Sequence, residues 1–420
     1  MQVYANVLLW VVPFFLIMII VEIAFGHFIR KQTHTFMDTL SSLSSGMTNI
    51  LKDILGLGVV IVSYPFLVEK LSLFSLENES WLYATGFICI DFASYWTHRL
   101  NHKINFFWNQ HVIHHSSEEF NLACALRQSI SDLLGYTALF LIPAAVMGVP
   151  REVITILAPL HLFGQFWYHT QHIGKLGILE YVLVTPSQHR VHHAINHIYI
   201  DKNLSAIFCV WDRWFGTFQE ELDEEPPVYG LLKPVQTWNP LIINFQHLWS
   251  LMCDAWHTRS WIEKLTLWWK PTGYRPKDVI DKYPKKIIDP SLPQEKYNPE
   301  ISYLKKIWAL IQWLSITIIL LYLLANFELF STSQSLLIGI IVLLSIFGYT
   351  ALMDNYNWSY DFEMGRNIIG LLIFVIPNQI DFYYSTLPGL FYFGVFYFSM
   401  NTITLQFLDL NKETRFLNEK

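Results

Sequence analysis

Two runs late in the chain limit what it can fold into: "IWALIQWLSITIILLYLLANF" (307–327) and "SLLIGIIVLLSIFGYTALM" (335–353). Neither holds an Asp, Glu, Lys or Arg, and each is near the ~20 apolar residues that a helix needs to cross a bilayer. A third run, "VLLWVVPFFLIMIIVEIAF" (7–25), is also long and apolar enough. Hydrocarbon offers backbone N–H and C=O groups no partner, so such runs must close their hydrogen bonds internally, as helices. Weaker candidate spans cover 51–68, 81–97, 130–148, 152–168, 368–377 and 383–400. The 420 residues are 53% hydrophobic and 15% charged, against roughly 25% charged in soluble domains. A large-cored soluble protein does not fit that balance. The expected fold is all-α: a polytopic integral membrane helical bundle.

Run 7–25 lacks a basic segment before it and a small-residue cleavage site after it, so it reads as a retained helix rather than a signal peptide. Cys89, Cys124, Cys209 and Cys253 are far apart and form no C-x-x-C pair. That argues against a disulfide framework or a thiolate metal site. Arg30 and Lys31 follow the first run, Arg99 and Lys103 follow the candidate span at 81–97, and lysines crowd 228–306. The positive-inside rule then puts 26–47, 98–128 and 170–306 on the cytoplasmic side. Four regions follow: N-terminal membrane helices (1–80), a catalytic region (81–230), a polar cytoplasmic segment (231–300) and C-terminal membrane helices (301–420).

Twelve of the sixteen histidines fall in 81–230, and none lies beyond 300. In "DFASYWTHRLNH" (91–102), His98 and His102 are i, i+4 neighbours that share a helix face. "HVIHH" (111–115) and "HRVHH" (189–193) repeat one pattern, and on a helix each triplet spans an arc of roughly 100°. "HLFGQFWYHTQH" (161–172) would line His161, Gln165, His169 and His172 along one helix face. Clustered imidazoles repel when protonated and need partners when neutral; a bound cation answers both needs. A zinc shell takes about four ligands, so this many rings imply two ions. Nitrogen ligands without thiolate suit non-haem iron, and the ligand types alone leave zinc open.

Several polar neighbours carry two readings each. Asp91, inside a candidate span, either accepts a ring N–H from a ligand histidine or makes an interhelical hydrogen bond. Asp201 and Asn203 either orient imidazoles or cap a loop. His161 and His172 are supporting residues or interfacial polar groups. In "SSEEFN" (116–121), Glu118 and Asn121 are a base and a supporting donor. Alternatively, Ser116 or Ser117 caps a helix whose first turn holds Glu118 and Glu119.

The boxes H-x-x-x-H, H-x-x-H-H and H-x-x-H-H, in this order, resemble those of the fatty acid hydroxylase/sterol desaturase superfamily of membrane di-iron enzymes. The stretches "YWTHRLNH" (95–102), "HVIHHSSEEFNLACALRQS" (111–129), "QFWYHT" (165–170), "TPSQHRVHH" (185–193) and "IDKNLSAIFCVWDRWFGTFQEE" (200–221) are similar to its alkylglycerol-cleaving branch. The resemblance implies His98, His102, His111, His114, His115, His169, His189, His192 and His193 as metal ligands. It also implies two iron ions, O₂, and tetrahydrobiopterin as reductant; a contact to that pterin is a further reading of Glu118. The implied reaction is hydroxylation of the carbon beside an ether oxygen, giving an aldehyde and a glycerol derivative. A fatty acyl or sterol hydroxylase or desaturase fed by an external electron-transfer protein is the alternative, and a divalent-metal transporter a remote one. The expected partners are a lipid from the bilayer and an external electron donor, with no nucleic acid. The active site is expected on the cytoplasmic face of the endoplasmic reticulum or bacterial inner membrane.

Overall fold

The computed structural model describes residues 2–56, 59–60, 62–74, 78–132, 134–376 and 379–418. Among them, three helices are long and apolar enough to cross a membrane: α1 (Gln2–Phe28), α7 (Tyr303–Ala325) and α8 (Thr332–Met353). On α1, Trp10, Phe14, Ile17 and Val21 recur at helical spacing and all point outward. The opposite face buries Leu8 and Ile19, and Phe15 stacks on Phe166 at 4.2 Å. An exposed apolar stripe of that length suits lipid rather than water. Helix α8 opens with a capping box in which Ser331 and Gln334 satisfy each other's backbone N–H groups.

Helices α7 and α8 pack with α9 (Ser359–Val375) and α10 (Pro388–Asn418) around Ile316, Leu323, Val342 and Ile346. Close approach of α9 and α10 rests on small residues. A Cβ at Gly370 would come within 2.4 Å of the Phe398 ring, and one at Gly394 within 2.5 Å of Phe374, so only glycine lets these helices touch. The amphipathic α2 (Phe36–Ile54) gives Leu40 and Leu51 to this core and packs against α6 (Pro240–His257). Its serines reach Trp238 O, Tyr349 OH, Arg127 and Gln128 O. A second apolar core joins α3 (Glu79–Lys103) to α4 (Arg151–Phe163) through Ala93, Ala144, Val149 and Leu157.

Three weaker candidate spans do not form. The run 51–68 breaks where α2 ends at Ile54 and Gly56 takes φ +61°. Val59–Val60 then pairs in parallel with Leu134–Gly135, while Leu57, Gly58 and Ile61 lie outside the described residues. The run 130–148 is a strand, a 3₁₀ segment and the short helix Ile142–Val146, with Leu133 also outside the described residues. The run 152–168 is cut at Gly164, leaving α4 with 13 residues; at ~1.5 Å per residue that is too short to span alone. Of the other three weak runs, 81–97 lies within α3, 368–377 lies in α9 up to Val375, with Pro377 outside the described residues, and 383–400 begins in the short helix Gln379–Thr386 and continues in α10. All four cysteines are free thiols.

Candidate metal centre

Helix α3 ends in the first box, where i, i+4 spacing turns His98 and His102 the same way. The second box is not a regular helix. The chain turns at His111, and His114–Ser116 form one 3₁₀ turn, which splits His111 and His115 from His114. The third box lies on α5 (Pro186–His193), started by Pro186 after Thr185, and it is buried along its whole length. His169 arrives from a turn beyond α4.

These elements bring nine rings together in two groups. His98, His102, His111, His115 and His192 form one; His114, His169, His189 and His193 form the other. Within each group the nitrogens lie within 4.8 Å of one another. His98 Nε2 is 2.8 Å from His111 Nε2. In the second group, His189 Nε2 is 2.8 Å from His169 Nε2 and 3.0 Å from His193 Nε2. Two nitrogens each ~2.1 Å from one ion and at right angles would sit ~3.0 Å apart, so these spacings match ligands shared by a cation.

Five of the outward ring nitrogens have partners, as metal-bound histidines require, while that of His189 is buried without one. Nδ1 of His98 donates to Leu204 O (2.8 Å), that of His192 to Lys202 O (3.0 Å), and that of His169 to Gln165 O (3.0 Å). His114 Nδ1 donates to Arg127 O at 3.3 Å. His102 Nδ1 is 3.4 Å from Asp201 Oδ1. The inward atoms His102 Nε2, His115 Nε2 and His192 Nε2 are buried with no hydrogen-bond partner. Buried polar atoms without partners are costly; all three belong to the first group, and a cation there would satisfy them. Burial, reinforced by neighbouring imidazoles, holds His98, His111, His115, His189, His192 and His193 far below the usual histidine range. It brings His114 and His169 down to about 3. Neutral rings offer the lone pairs that a metal needs.

A family model described as fatty acid hydroxylase matches residues 83–217. The alkylglycerol monooxygenase of Homo sapiens is 34% identical over 72% of this chain and 67% of its own length. That of Danio rerio is 32% identical over 86% of this chain and 80% of its own; that of Xenopus tropicalis, 35% over 68% and 64%. The chain belongs to the fatty acid hydroxylase family. All nine clustered histidines fall inside the family match. No solved structure gives a significant match.

Other expected site residues of this family member fall in different places. Asp91 is fully buried and accepts no ligand ring: it takes His161 Nε2 (2.7 Å), Ile207 N (2.9 Å), Phe208 N (3.1 Å) and Trp211 Nε1 (2.8 Å). It thereby anchors the turn that presents Leu204 O to His98. His161, Gln165, His169 and His172 do not share a helix face, because α4 stops at Phe163. His161 goes to Asp91, and His172 Nε2 lies 3.5 Å from Thr33 Oγ1. Asn203 touches no imidazole; its amide donates to Gln188 O and Gln219 O and accepts from Gln219 N. Asp201 does reach His102, and Lys103 Nζ at 2.7 Å holds it.

No helix follows Ser117. Glu118 Oε2 instead accepts Tyr297 N at 2.7 Å, and Glu119 pairs with Lys296 at 2.7 Å, tying the polar segment over the centre. Burial raises both carboxyls above the ordinary range. Asn121 is spent on Thr33 O, Ala123 N and Cys124 N, away from both groups.

Three supporting residues went unnoticed in the sequence. Asp38 pairs with Arg127 at 2.6 Å, fully inside. Glu22, in the apolar run of α1, accepts Leu122 N (2.7 Å), Thr170 Oγ1 (2.5 Å) and His34 Nε2 (2.8 Å). An acid inside an apolar run was the available signal; Asp38 and Arg127 carried none.

Two cavities reach the centre from different sides. The more polar one, of 1520 Å³, is lined by His102, His115, His192 and His193 together with Glu118 and Lys31. A second, of 460 Å³, is lined by His98, His111, His114, His169 and His189 and by apolar residues of α1 and α7.

Proposed function

We propose that the chain is a multi-pass membrane di-iron monooxygenase that cleaves alkylglycerol ethers. Nine clustered imidazoles in two groups carry this reading. His98, His102, His111, His115 and His192 would hold one iron, and His114, His169, His189 and His193 the other. Iron bound there supplies activation of O₂ for attack on an unactivated C–H bond, which side chains cannot perform alone.

The reaction balances as a monooxygenation. One oxygen atom of O₂ enters the C–H bond beside the ether oxygen; the other leaves as water with two electrons and two protons from the reductant. The hemiacetal then loses its alcohol, releasing a fatty aldehyde and free glycerol. The chain's own residues position and shield. Leu204 O, Lys202 O, Gln165 O and Arg127 O fix ring orientation, and Asp201 steadies His102. The apolar walls of the smaller cavity exclude water from a reactive oxidant.

Two sides of approach suit two co-substrates. The lipid enters by the apolar cavity, and an external reductant, tetrahydrobiopterin, by the polar one, where Glu118 contacts it. The lysine-rich segment 231–300 favours a cytoplasmic-facing opening, in the endoplasmic reticulum or a bacterial inner membrane. Purified protein given an alkylglycerol, O₂ and tetrahydrobiopterin should release aldehyde. Aldehyde formed only with a ferredoxin or cytochrome donor overturns the choice of reductant. Oxidation of acyl lipids or sterols alone overturns the choice of substrate.

A further inference from the structure

The smaller cavity has an uneven lining. Beside the histidines stand polar residues that are their chain neighbours: Thr97 and Asn101 flank His98 on α3, and Gln110 adjoins His111. The remote wall comes from membrane helices that bring no histidine to it. Leu8, Val11 and Phe15 lie on one face of α1, and Trp313, Leu320 and Leu324 on one face of α7. Thr317 also lines that wall, but its hydroxyl is spent on its own helix, donating to Trp313 O at 2.8 Å. These wall residues lie outside the family match at 83–217. The lining of α7 from Trp313 to Leu324 rises roughly 16 Å along the helix. The cavity volume of 460 Å³ falls within the ~300–1,000 Å³ of small-ligand sites.

We propose that the α1–α7 wall seats the hydrocarbon tail of the lipid substrate and sets which chain lengths react. This rests on the lipid-monooxygenase reading above. A chain with its polar head beside Asn101 and Gln110 crosses the histidines near its head-group end and runs on between α1 and α7. The wall is continuous with the centre, apolar and buried: Leu320 is 2% exposed and Leu324 0%. A hydrocarbon tail is the occupant such a wall binds best. Each methylene seated in it strengthens binding about fourfold, until the chain meets the end wall. The outward stripe of Trp10, Phe14 and Ile17 on α1 faces lipid instead and has no part in the selection.

The test compares alkylglycerols of ten to eighteen alkyl carbons in mixed micelles. Leu320→Trp should lower kcat/KM for the longest chains about tenfold or more relative to the shortest, measured against wild type so that micelle partitioning cancels. Leu8→Phe should shift the profile the same way by less, and serves if Leu320→Trp does not fold. Independently, an alkylglycerol bearing a diazirine at its chain terminus is photolysed with full-length wild-type protein, and labelled residues are mapped by mass spectrometry. Labels on Leu8, Val11, Leu320 or Leu324 that excess unlabelled lipid removes support the proposal. Unchanged chain-length profiles in both variants, with labels confined to Trp10, Phe14 and Ile17, overturn it. If wild type releases no aldehyde from any alkylglycerol, the reaction reading fails, and the labelling still decides the tail site.

Discussion

Replacing Asp38 with alanine strands a charge. Arg127 is 2% exposed, and its guanidinium donates to Asp38 Oδ1 (2.6 Å), Ser42 Oγ (2.9 Å) and Ser116 Oγ (2.7 Å). Without the carboxylate, a buried cation keeps only two neutral hydroxyls, a loss of about 3–5 kcal/mol. Ser117 Oγ also loses Asp38 as acceptor, adding about 1 kcal/mol. The damage reaches the metal centre, because Arg127 O holds His114 Nδ1 and Ser116 follows His115 in the chain. Asp38→Ala should therefore destabilise the detergent-solubilised protein by about 4–6 kcal/mol in denaturant unfolding, and should lower iron content. The double variant Asp38→Leu/Arg127→Met removes both charges and should regain most of the stability, since a buried pair replaced by apolar groups is often neutral. Its iron content should recover with it. A single-variant cost below about 1 kcal/mol, or a double variant as unstable as the sum of the singles, would refute the reasoning.

Other perturbations give distinct signatures. Asp91→Asn keeps one acceptor oxygen for four donors, so it should cost about 2–3 kcal/mol, read as a lower unfolding midpoint; an unchanged midpoint contradicts the assigned network. Asp354, buried where it accepts Trp238 N and Tyr297 OH, has its carboxyl raised by burial to about 6. A raised folded-state value means that its stabilising state is the protonated one, complete below about pH 4. It is lost as pH rises through 6, on the order of 3 kcal/mol. Asp354→Asn should flatten that part of the stability profile between pH 4 and 6, and an identical slope in both proteins would be the contrary result.

The nine clustered histidines stand out in the sequence because metal binding needs many rings of one type at short spacings. How they divide into two groups does not, since that depends on a 3₁₀ turn at His114–Ser116 and on α4 stopping at Gly164. A hydropathy pattern cannot show either break. The same limit made 51–68 and 130–148 look like spans: apolar runs buried within protein resemble apolar runs in lipid. Asp91 stood out as a costly acid, but its true partner, His161, is 70 residues away. Asp38 and Arg127, 89 residues apart, left no local trace at all. Nor did the contribution of α1 and α7 to the smaller cavity, because a helix facing lipid on one side and a cavity on the other is apolar all round.

Metal content in three proteins tests the centre most directly. Wild type should carry about two irons per chain, while His115→Ala and His169→Ala, one from each group, should each retain about one, with X-ray absorption showing nitrogen and oxygen neighbours near ~2.1 Å and no sulfur. A wild-type value of one or none, or a sulfur neighbour, would contradict a pair of ions gripped by imidazoles alone.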